Sequence, residues 1–160
     1  MIHARMRRPI KVVLLLCAAL GVTIVTAACG TEHINVDKAD YQGALIFSQR
    51  CGGCHTLSYG GTHGSSSNIR TAQANNGPNF NVRCEKPVTR VLYAIENGGF
   101  SGAIMPQNVV IGKQAVEVAE FVAKYAGRQA ANPPGSGPPC VDQSIGALPA
   151  QQQALLAQGP

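Results

Sequence analysis

The residues best suited to chemistry are the five from Cys51 to His55, which read Cys-Gly-Gly-Cys-His. Two thiols three positions apart can each form a thioether to one edge of a porphyrin, and the imidazole that follows can reach the iron from one side. The intervening glycines, Gly52 and Gly53, are expected to add no bulk where the macrocycle approaches. The pentapeptide therefore predicts covalent attachment of one c-type haem through Cys51 and Cys54, with His55 as an axial ligand.

A Cys-x-x-Cys sequence can also belong to a thioredoxin-like redox motif or to a structural zinc site. A thioredoxin-like redox motif lies between a strand and a helix, whereas the residues before Cys51 have the periodicity of a helix. A structural zinc site needs a second pair of ligands, and the later chain offers only Cys84 and Cys140 singly, with His63 nearby. The residues favour haem attachment over both.

A haem held by His55 has a second axial position, and its occupant separates electron transfer from ligand chemistry. Two of the three methionines lie in the first 28 residues, which leaves Met105 as the thioether of the mature chain. The residue after it is a proline, which restrains the backbone there. Met105 is thus the predicted second ligand, and His33 and His63 are the alternatives.

The first thirty residues have the layout of an export signal. A basic start is followed by an almost unbroken apolar stretch over residues 12–25 and then by small residues before Cys29. The sequence Thr-Ala-Ala-Cys-Gly at 26–30 resembles a bacterial lipobox, which implies an export signal over residues 1–28 and lipidation of Cys29. An uncleaved signal anchor is the alternative. Either anchor would leave residues 29–36 as a tether and keep the protein at the outer face of the cytoplasmic membrane or in the periplasm.

The formal charge of +5 suggests anionic partners at first sight, but much of it belongs to the predicted export signal. No acidic residue accompanies the basic residues that precede the apolar stretch, which are Arg5, Arg7, Arg8 and Lys11. Little net charge remains without them, so nucleic-acid binding is not expected.

Three helices are predicted from apolar residues that recur at three- and four-residue spacing. They span Asp37–Arg50, Pro87–Asn97 and Lys113–Ala126. Residues 57–76 have the composition of a long loop, and no alternating stretch is long enough to predict a sheet. With 5% aromatic residues and no tryptophan the core is thin, and a haem would supply apolar volume. The expected fold class is all-α, with three main helices and long loops over residues 37–128.

The residues after Arg128 begin with a linker rich in proline and glycine, which ends at Pro139. An apolar segment from Ala147 to Ala157 could form a short helix. We expect residues 129–160 to be a flexible or surface-bound tail, with a partner-docking segment as the alternative.

Four segments follow one another in the order of a known set of motifs. Residues 43–55 have the form Gly-x-x-x-Phe-x-x-x-Cys-x-x-Cys-His, residues 77–80 read Gly-Pro-Asn-Phe, residues 102–106 end in Met-Pro, and residues 121–125 read Phe-Val-Ala-Lys-Tyr. In these segments the chain resembles a bacterial class I cytochrome c of the membrane-tethered lipoprotein type. The resemblance implies a small cytochrome c fold around one covalent haem. It also implies that Pro78 offers its carbonyl to His55 and that Gly43, Phe47 and Tyr125 form the crossing of the first and last helices.

Two cysteines, Cys84 and Cys140, remain without an assigned role. Leftover thiols in an oxidising compartment often pair, so a disulfide that pins the tail to the domain is predicted. Candidate partners for the haem propionates are Arg83, Arg90 and Tyr59.

The function expected from these residues is one-electron transfer by a monomeric carrier that is not itself an enzyme. Its partners would be membrane redox proteins, such as a quinol-oxidising complex and a terminal oxidase. The alternatives are a ligand-binding or peroxidase-like haem enzyme, in which the sixth position opens, and the cytochrome subunit of a specific dehydrogenase.

Overall fold

Four α-helices and one two-stranded antiparallel sheet form the part of the chain described in the computed structural model, which is residues 34–65, 77–100 and 105–158. The helices are α1 (Tyr41–Arg50), α2 (Val88–Asn97), α3 (Gly112–Tyr125) and α4 (Ala150–Ala157), and the strands are β1 (Thr56–Leu57) and β2 (Thr62–His63). A short 3₁₀ turn, Lys38–Asp40, precedes α1. The prediction of a mostly helical protein is confirmed, and α2 and α3 begin and end within one residue of their predicted bounds.

Helix α2 shows why local sequence was sufficient for these elements. Its buried residues are Val88, Val91, Leu92 and Ile95, which share one face at helical spacing. Gly98 ends the helix with a φ of 86°, and its N–H donates to the carbonyl four residues earlier at 2.9 Å. A left-handed conformation is available to glycine without a steric penalty, so the stop is encoded in the chain itself.

Helices α1 and α3 cross where Gly43 removes a side chain from the contact. A Cβ at Gly43 would overlap the Glu117 carbonyl group. The buried rings of Phe47 and Phe121 meet edge to face beside it, with centroids 5.4 Å apart. Tyr125, at the end of α3, donates its hydroxyl to the aspartate just before α1 at 3.0 Å. The three residues expected at this crossing therefore all lie at the contact between the two helices.

Replacement of Gly43 by alanine is expected to destabilise the protein by about 1–3 kcal/mol, because the two helix backbones would have to separate. The sign is informative, since alanine in an open helix position would stabilise it by roughly 0.5–1 kcal/mol relative to glycine. Urea unfolding measures the difference, with Gln42→Ala on the exposed side of α1 as the matched control. A Gly43→Ala protein more stable than the parent would contradict the close crossing.

A small hairpin corrects the expectation that the domain contains no sheet. Strands β1 and β2 pair antiparallel, with Thr56 opposite His63. Gly61 turns the chain with a φ of 65°, and the Leu57 N–H donates to Thr62 Oγ1 at 2.9 Å. Two-residue strands are too short to show alternation in a sequence, and a side-chain hydroxyl supplies part of the pairing. The hairpin was therefore not visible to a periodicity argument.

The C-terminal tail is folded onto the domain. Leu148 is buried, and Leu155 and Leu156 on α4 pack against the core. Cys140 forms the predicted disulfide with Cys84, with Cα atoms 5.7 Å apart and an S–S distance of 2.08 Å. The tail belongs to the same compact unit as the helices. The structure thus favours the surface-bound tail over the flexible one.

Candidate functional site

The pentapeptide from Cys51 to His55 is a tight turn at the C-terminal end of α1. The Cys51 N–H donates to the Phe47 carbonyl at 2.8 Å. The N–H groups of Cys54 and His55 both donate back to the Cys51 carbonyl, at 3.1 and 3.0 Å. Both thiols are free. Because α1 fixes Cys51 and the turn closes on itself, the two thiols and the imidazole are held as one unit.

Burial favours the protonated form of the Cys51 thiol. Desolvation, with a smaller contribution from Cys54, raises the pKa of this thiol to about 12. A redox-active Cys-x-x-Cys pair needs the opposite shift, because the thiolate is the nucleophile in disulfide exchange. The structure therefore disfavours a thioredoxin-like use of Cys51 and Cys54.

His55 has one nitrogen engaged and is buried in the neutral form. Its Nδ1 lies 3.2 Å from the Pro78 carbonyl oxygen. Since a carbonyl only accepts, Nδ1 carries the proton and donates, which leaves the lone pair on Nε2. Burial is the main cause that lowers the pKa of His55, and the hydrogen bond to Pro78 acts in the opposite direction. A histidine that ligates a metal is a neutral imidazole: one nitrogen donates to an acceptor such as a carbonyl, and the other binds the metal.

Two neighbours from the segment after the hairpin confine the His55 ring. The Phe80 ring stacks on it, with centroids 4.6 Å apart and planes 8° from parallel. A Cβ at Gly77 would lie against the face of the imidazole, between 2.5 and 2.8 Å from three of its atoms. The glycine therefore makes room for the ring, and the phenylalanine limits its rotation.

Gly77→Ala is expected to displace the His55 ring and to destabilise the protein by about 1–3 kcal/mol, because the added methyl group overlaps a buried side chain. Urea unfolding gives the energy. The NMR shift of the His55 Cε1 proton reports the ring position, since this proton lies beside the Phe80 ring. Gly53→Ala is the control, because a Cβ there meets no atom within 4 Å and should change stability by less than about 0.5 kcal/mol. Equal effects of the two substitutions would contradict the confinement of the ring.

One cavity brings the predicted attachment and ligand residues together. Cys51, Cys54, His55 and Met105 all line it, and its volume is about 1080 Å³ including the part open to solvent. Helices α1, α2 and α3 contribute much of the apolar wall, through Phe47, Val91, Ala94, Ile95, Val118 and Val122. Cofactor sites are typically apolar hollows with a few placed polar groups. The lining and donor set of this cavity therefore fit a haem.

The two glycines that end α2 lie close to Met105 at the cavity. A Cβ at Gly98 would lie 2.9 Å from the Met105 carbonyl oxygen, and one at Gly99 would lie 3.9 Å from its sulfur. Both glycines have a φ near 85°, which other residues rarely adopt. Residues 101–104, which include most of the predicted Met-Pro loop, lie outside the described residues.

The cavity also has a charged edge. Arg83 and Glu85 are part of its lining, and both Arg83 and Arg90 form ion pairs with Glu85. Arg90 additionally lies 4.1 Å from the centroid of Phe100, a lining residue. The two arginines proposed for the propionates are therefore close to the cavity. The ring of Tyr59, the third candidate, instead contacts the Tyr125 ring, with centroids 5.0 Å apart and planes tilted by 42°.

The remaining predicted residues are not part of the cavity lining that the structure describes. His63 lies on β2 with an exposed side chain. His33, the predicted lipidation residue Cys29 and the predicted export signal over residues 1–28 lie outside the described residues. Within the described ranges, no helix combines the length and apolarity needed to cross a membrane.

One glycine has a further structural role, and one acid was not predicted. A Cβ at Gly52 would lie 2.6 Å from the Ser48 carbonyl oxygen and 2.8 Å from the Thr62 side chain, so this glycine makes room for α1 and the hairpin. Glu85 was not singled out, although it lies between two arginines in the sequence and its side chain is only 8% exposed. A lone acid flanked by basic residues near Cys84 was the available signal.

Comparison with known proteins adds no relative to this description. No protein-family model, no curated protein and no solved structure matches the chain. The assignment of a function therefore depends on the geometry of the cavity and on the residues that line it.

Proposed function

We propose that this protein is a one-electron carrier with a single covalently attached c-type haem and the fold of a class I cytochrome c. The observation that carries the proposal is the convergence of Cys51, Cys54, His55 and Met105 on one apolar cavity. The haem, when bound, supplies an iron that changes its charge by one unit. In this proposal Cys51 and Cys54 attach it, and His55 and Met105 ligate it.

The chain contributes orientation and an apolar environment to this function. Pro78 accepts the Nδ1 proton of His55, so Nε2 is free to act as a ligand in a fixed orientation. A thioether such as that of Met105 favours the ferrous state, so a His/Met pair gives a higher potential than two histidines. The apolar wall limits the access of water and thereby strengthens the influence of nearby charges.

A carrier is favoured over an enzyme by the surroundings of Met105. The described cavity residues nearest to it in sequence are Gly99, Phe100, Pro106 and Val109, none of which carries an acid or a base. Peroxidase-like chemistry needs a placed acid or base, and the acid that lines the cavity, Glu85, is held in ion pairs with Arg83 and Arg90. Brief docking through a small interface suits such a carrier. The proposed partners are a quinol-oxidising complex, a terminal oxidase or a dehydrogenase.

We further propose that the protein is exported, tethered by Cys29 or by a signal anchor, and monomeric. Haem attachment and the Cys84–Cys140 disulfide both suit an oxidising compartment. Mass spectrometry of the membrane fraction before and after signal processing would identify the anchor.

The decisive experiment is expression of the full chain in a bacterium that attaches c-type haem. We expect one haem to remain bound after denaturation and the far-red charge-transfer band of sulfur-to-ferric-iron ligation to appear in the oxidised protein. A reversible titration should follow a one-electron slope of about 59 mV per decade. A protein without covalent haem would overturn the proposal. So would an open sixth position that turns over peroxide.

A further inference from the structure

The side chains of residues 83–86 face two different parts of the molecule. Arg83 and Glu85 line the cavity, whereas Cys84 and Lys86 contact the C-terminal tail. The wall segment, defined as these four residues, therefore connects the tail to the cavity.

On the cavity side, the Glu85 carboxylate lies between two guanidinium groups. Arg83 Nε is 2.5 Å from Oε1, and Arg90 Nε is 3.2 Å from Oε2. The Glu85 side chain is 8% exposed, whereas those of Arg83 and Arg90 are 45% and 38% exposed. The fold therefore fixes the position of this negative charge, since the carboxylate is buried and has two cationic partners.

On the other side, the tail holds the wall segment at several points. The disulfide joins Cys84 to Cys140. Lys86 Nζ donates to the carbonyl oxygens of Cys140 and Gln143, the latter at 2.6 Å. The N–H of Val88, the first residue of α2, donates to a further tail carbonyl at 2.7 Å. Both neighbours of Glu85 in the chain are thus fastened to residues 140–143.

We propose that Glu85 lowers the reduction potential of the iron group bound in the cavity, and that the C-terminal tail is the clamp that keeps Glu85 in place. This inference rests on the proposed function, because it needs a redox-active group at His55. It assigns a role to the tail, which the resemblance to class I cytochromes c left without one.

Electrostatics determines in which direction Glu85 shifts the reduction potential. A carboxylate at an apolar wall interacts with a nearby positive charge more strongly than it would in water. Ferric iron carries one more positive charge than ferrous iron, so Glu85 favours the oxidised state and its arginine partners favour the reduced state.

The first test compares midpoint potentials of haem-loaded variants. Glu85→Gln removes one negative charge and should shift the potential in the positive direction. Arg90→Gln removes a positive charge at a half-exposed side chain and should shift it in the negative direction, and it remains available if Glu85→Gln fails to fold. Glu96→Gln removes the same charge as Glu85→Gln from an exposed position of α2 and should leave the potential almost unchanged. A structural disturbance would not give shifts of opposite sign, so shifts in the same direction, or none, would overturn the role of Glu85.

The second test asks whether the tail holds the charge, by a double-mutant cycle. The shift caused by Glu85→Gln is measured in the parent and in a Cys84→Ser/Cys140→Ser background. We expect a smaller shift without the disulfide, because Glu85 is then no longer fixed at the cavity. A Lys113→Ala background is the control, since it removes the contacts of Lys113 Nζ with the Gln158 carbonyl at the far end of the tail and with Glu117, neither of which involves the wall segment. Equal shifts in all three backgrounds would overturn the clamp.

The absorption spectrum separates failure of this inference from failure of the proposed function. If the parent carries covalent haem with the far-red band and the potentials of its variants do not move, the inference alone is wrong. If the parent carries no covalent haem, the proposed function is wrong and this inference is overturned with it.

Discussion

When Cys51 and Cys54 are both replaced by serine, we expect the protein to lose all haem that survives acid extraction. Serine preserves the size of each side chain but lacks the sulfur that forms a thioether, so no covalent bond to the macrocycle remains. The thiols lie three residues apart in a turn closed by hydrogen bonds to the Cys51 carbonyl. Each single variant should therefore retain one bond and a haem that denaturation does not release. Denaturing gels stained for haem and intact mass measure the attachment.

The other cysteine pair provides the matched control for this experiment. Cys84 and Cys140 form a disulfide with each other, so their double serine variant should keep its haem attached. Loss of that disulfide is expected to reduce stability by about 4 kcal/mol for a loop of 56 residues, if chain entropy dominates. Covalent haem in the Cys51→Ser/Cys54→Ser protein would refute the attachment, and loss of haem from the control would show that folding alone limits it.

The second large effect is expected at Met105. Met105→Ala should abolish the far-red band and lower the potential by a substantial part of the ~0.8 V range that axial ligands span. Met105→His should also lower the potential but keep the iron six-coordinate, because an imidazole replaces the thioether. Optical spectra and redox titration of both variants against the parent give the comparison.

Met105→Ala could act by removing a ligand or by disturbing the cavity, and a second variant in the same cavity separates the two effects. Val109→Ala shortens a lining residue and leaves every proposed ligand in place, so the far-red band should persist. If Met105→Ala retained the band, a sulfur other than that of Met105 would have to be the ligand, and the His/Met proposal would be wrong.

The helices could be predicted from sequence because their causes are local. Apolar residues at helical spacing gave α2 and α3 within one residue, and Gly98 ends α2 with the positive φ that its type permits. Gly127 shows the limit of that reasoning. It lies two residues after the end of α3 and has a φ of 74°, but a Cβ there would also lie 2.9 Å from Cys84 Cα. Its absence of a side chain lets the disulfide approach, which no local pattern could indicate.

The hairpin and the tail were harder to predict because their local sequence patterns are weak. Contacts with residues far away in the sequence hold them in place. Thr62 stabilises the hairpin through a side-chain hydrogen bond, and two-residue strands have no periodicity. The tail is fixed by Leu148, the disulfide and the bonds of Lys86. Each of these contacts joins residues that composition places in a linker or a loop, so only packing could show that they hold the chain in one place.

The sequence by itself determined the chemical groups of the candidate site. The covalent chain fixes the spacing of Cys51, Cys54 and His55, and Met105 has the single thioether beyond the predicted export signal. The tertiary structure decided which of these groups meet and in what state. The apolar cavity, the hydrogen bond from His55 to Pro78 and the burial of Glu85 between arginines all depend on contacts across the fold. A linear pattern specifies residue types, but orientation, protonation and electrostatic environment arise only when distant segments pack against one another.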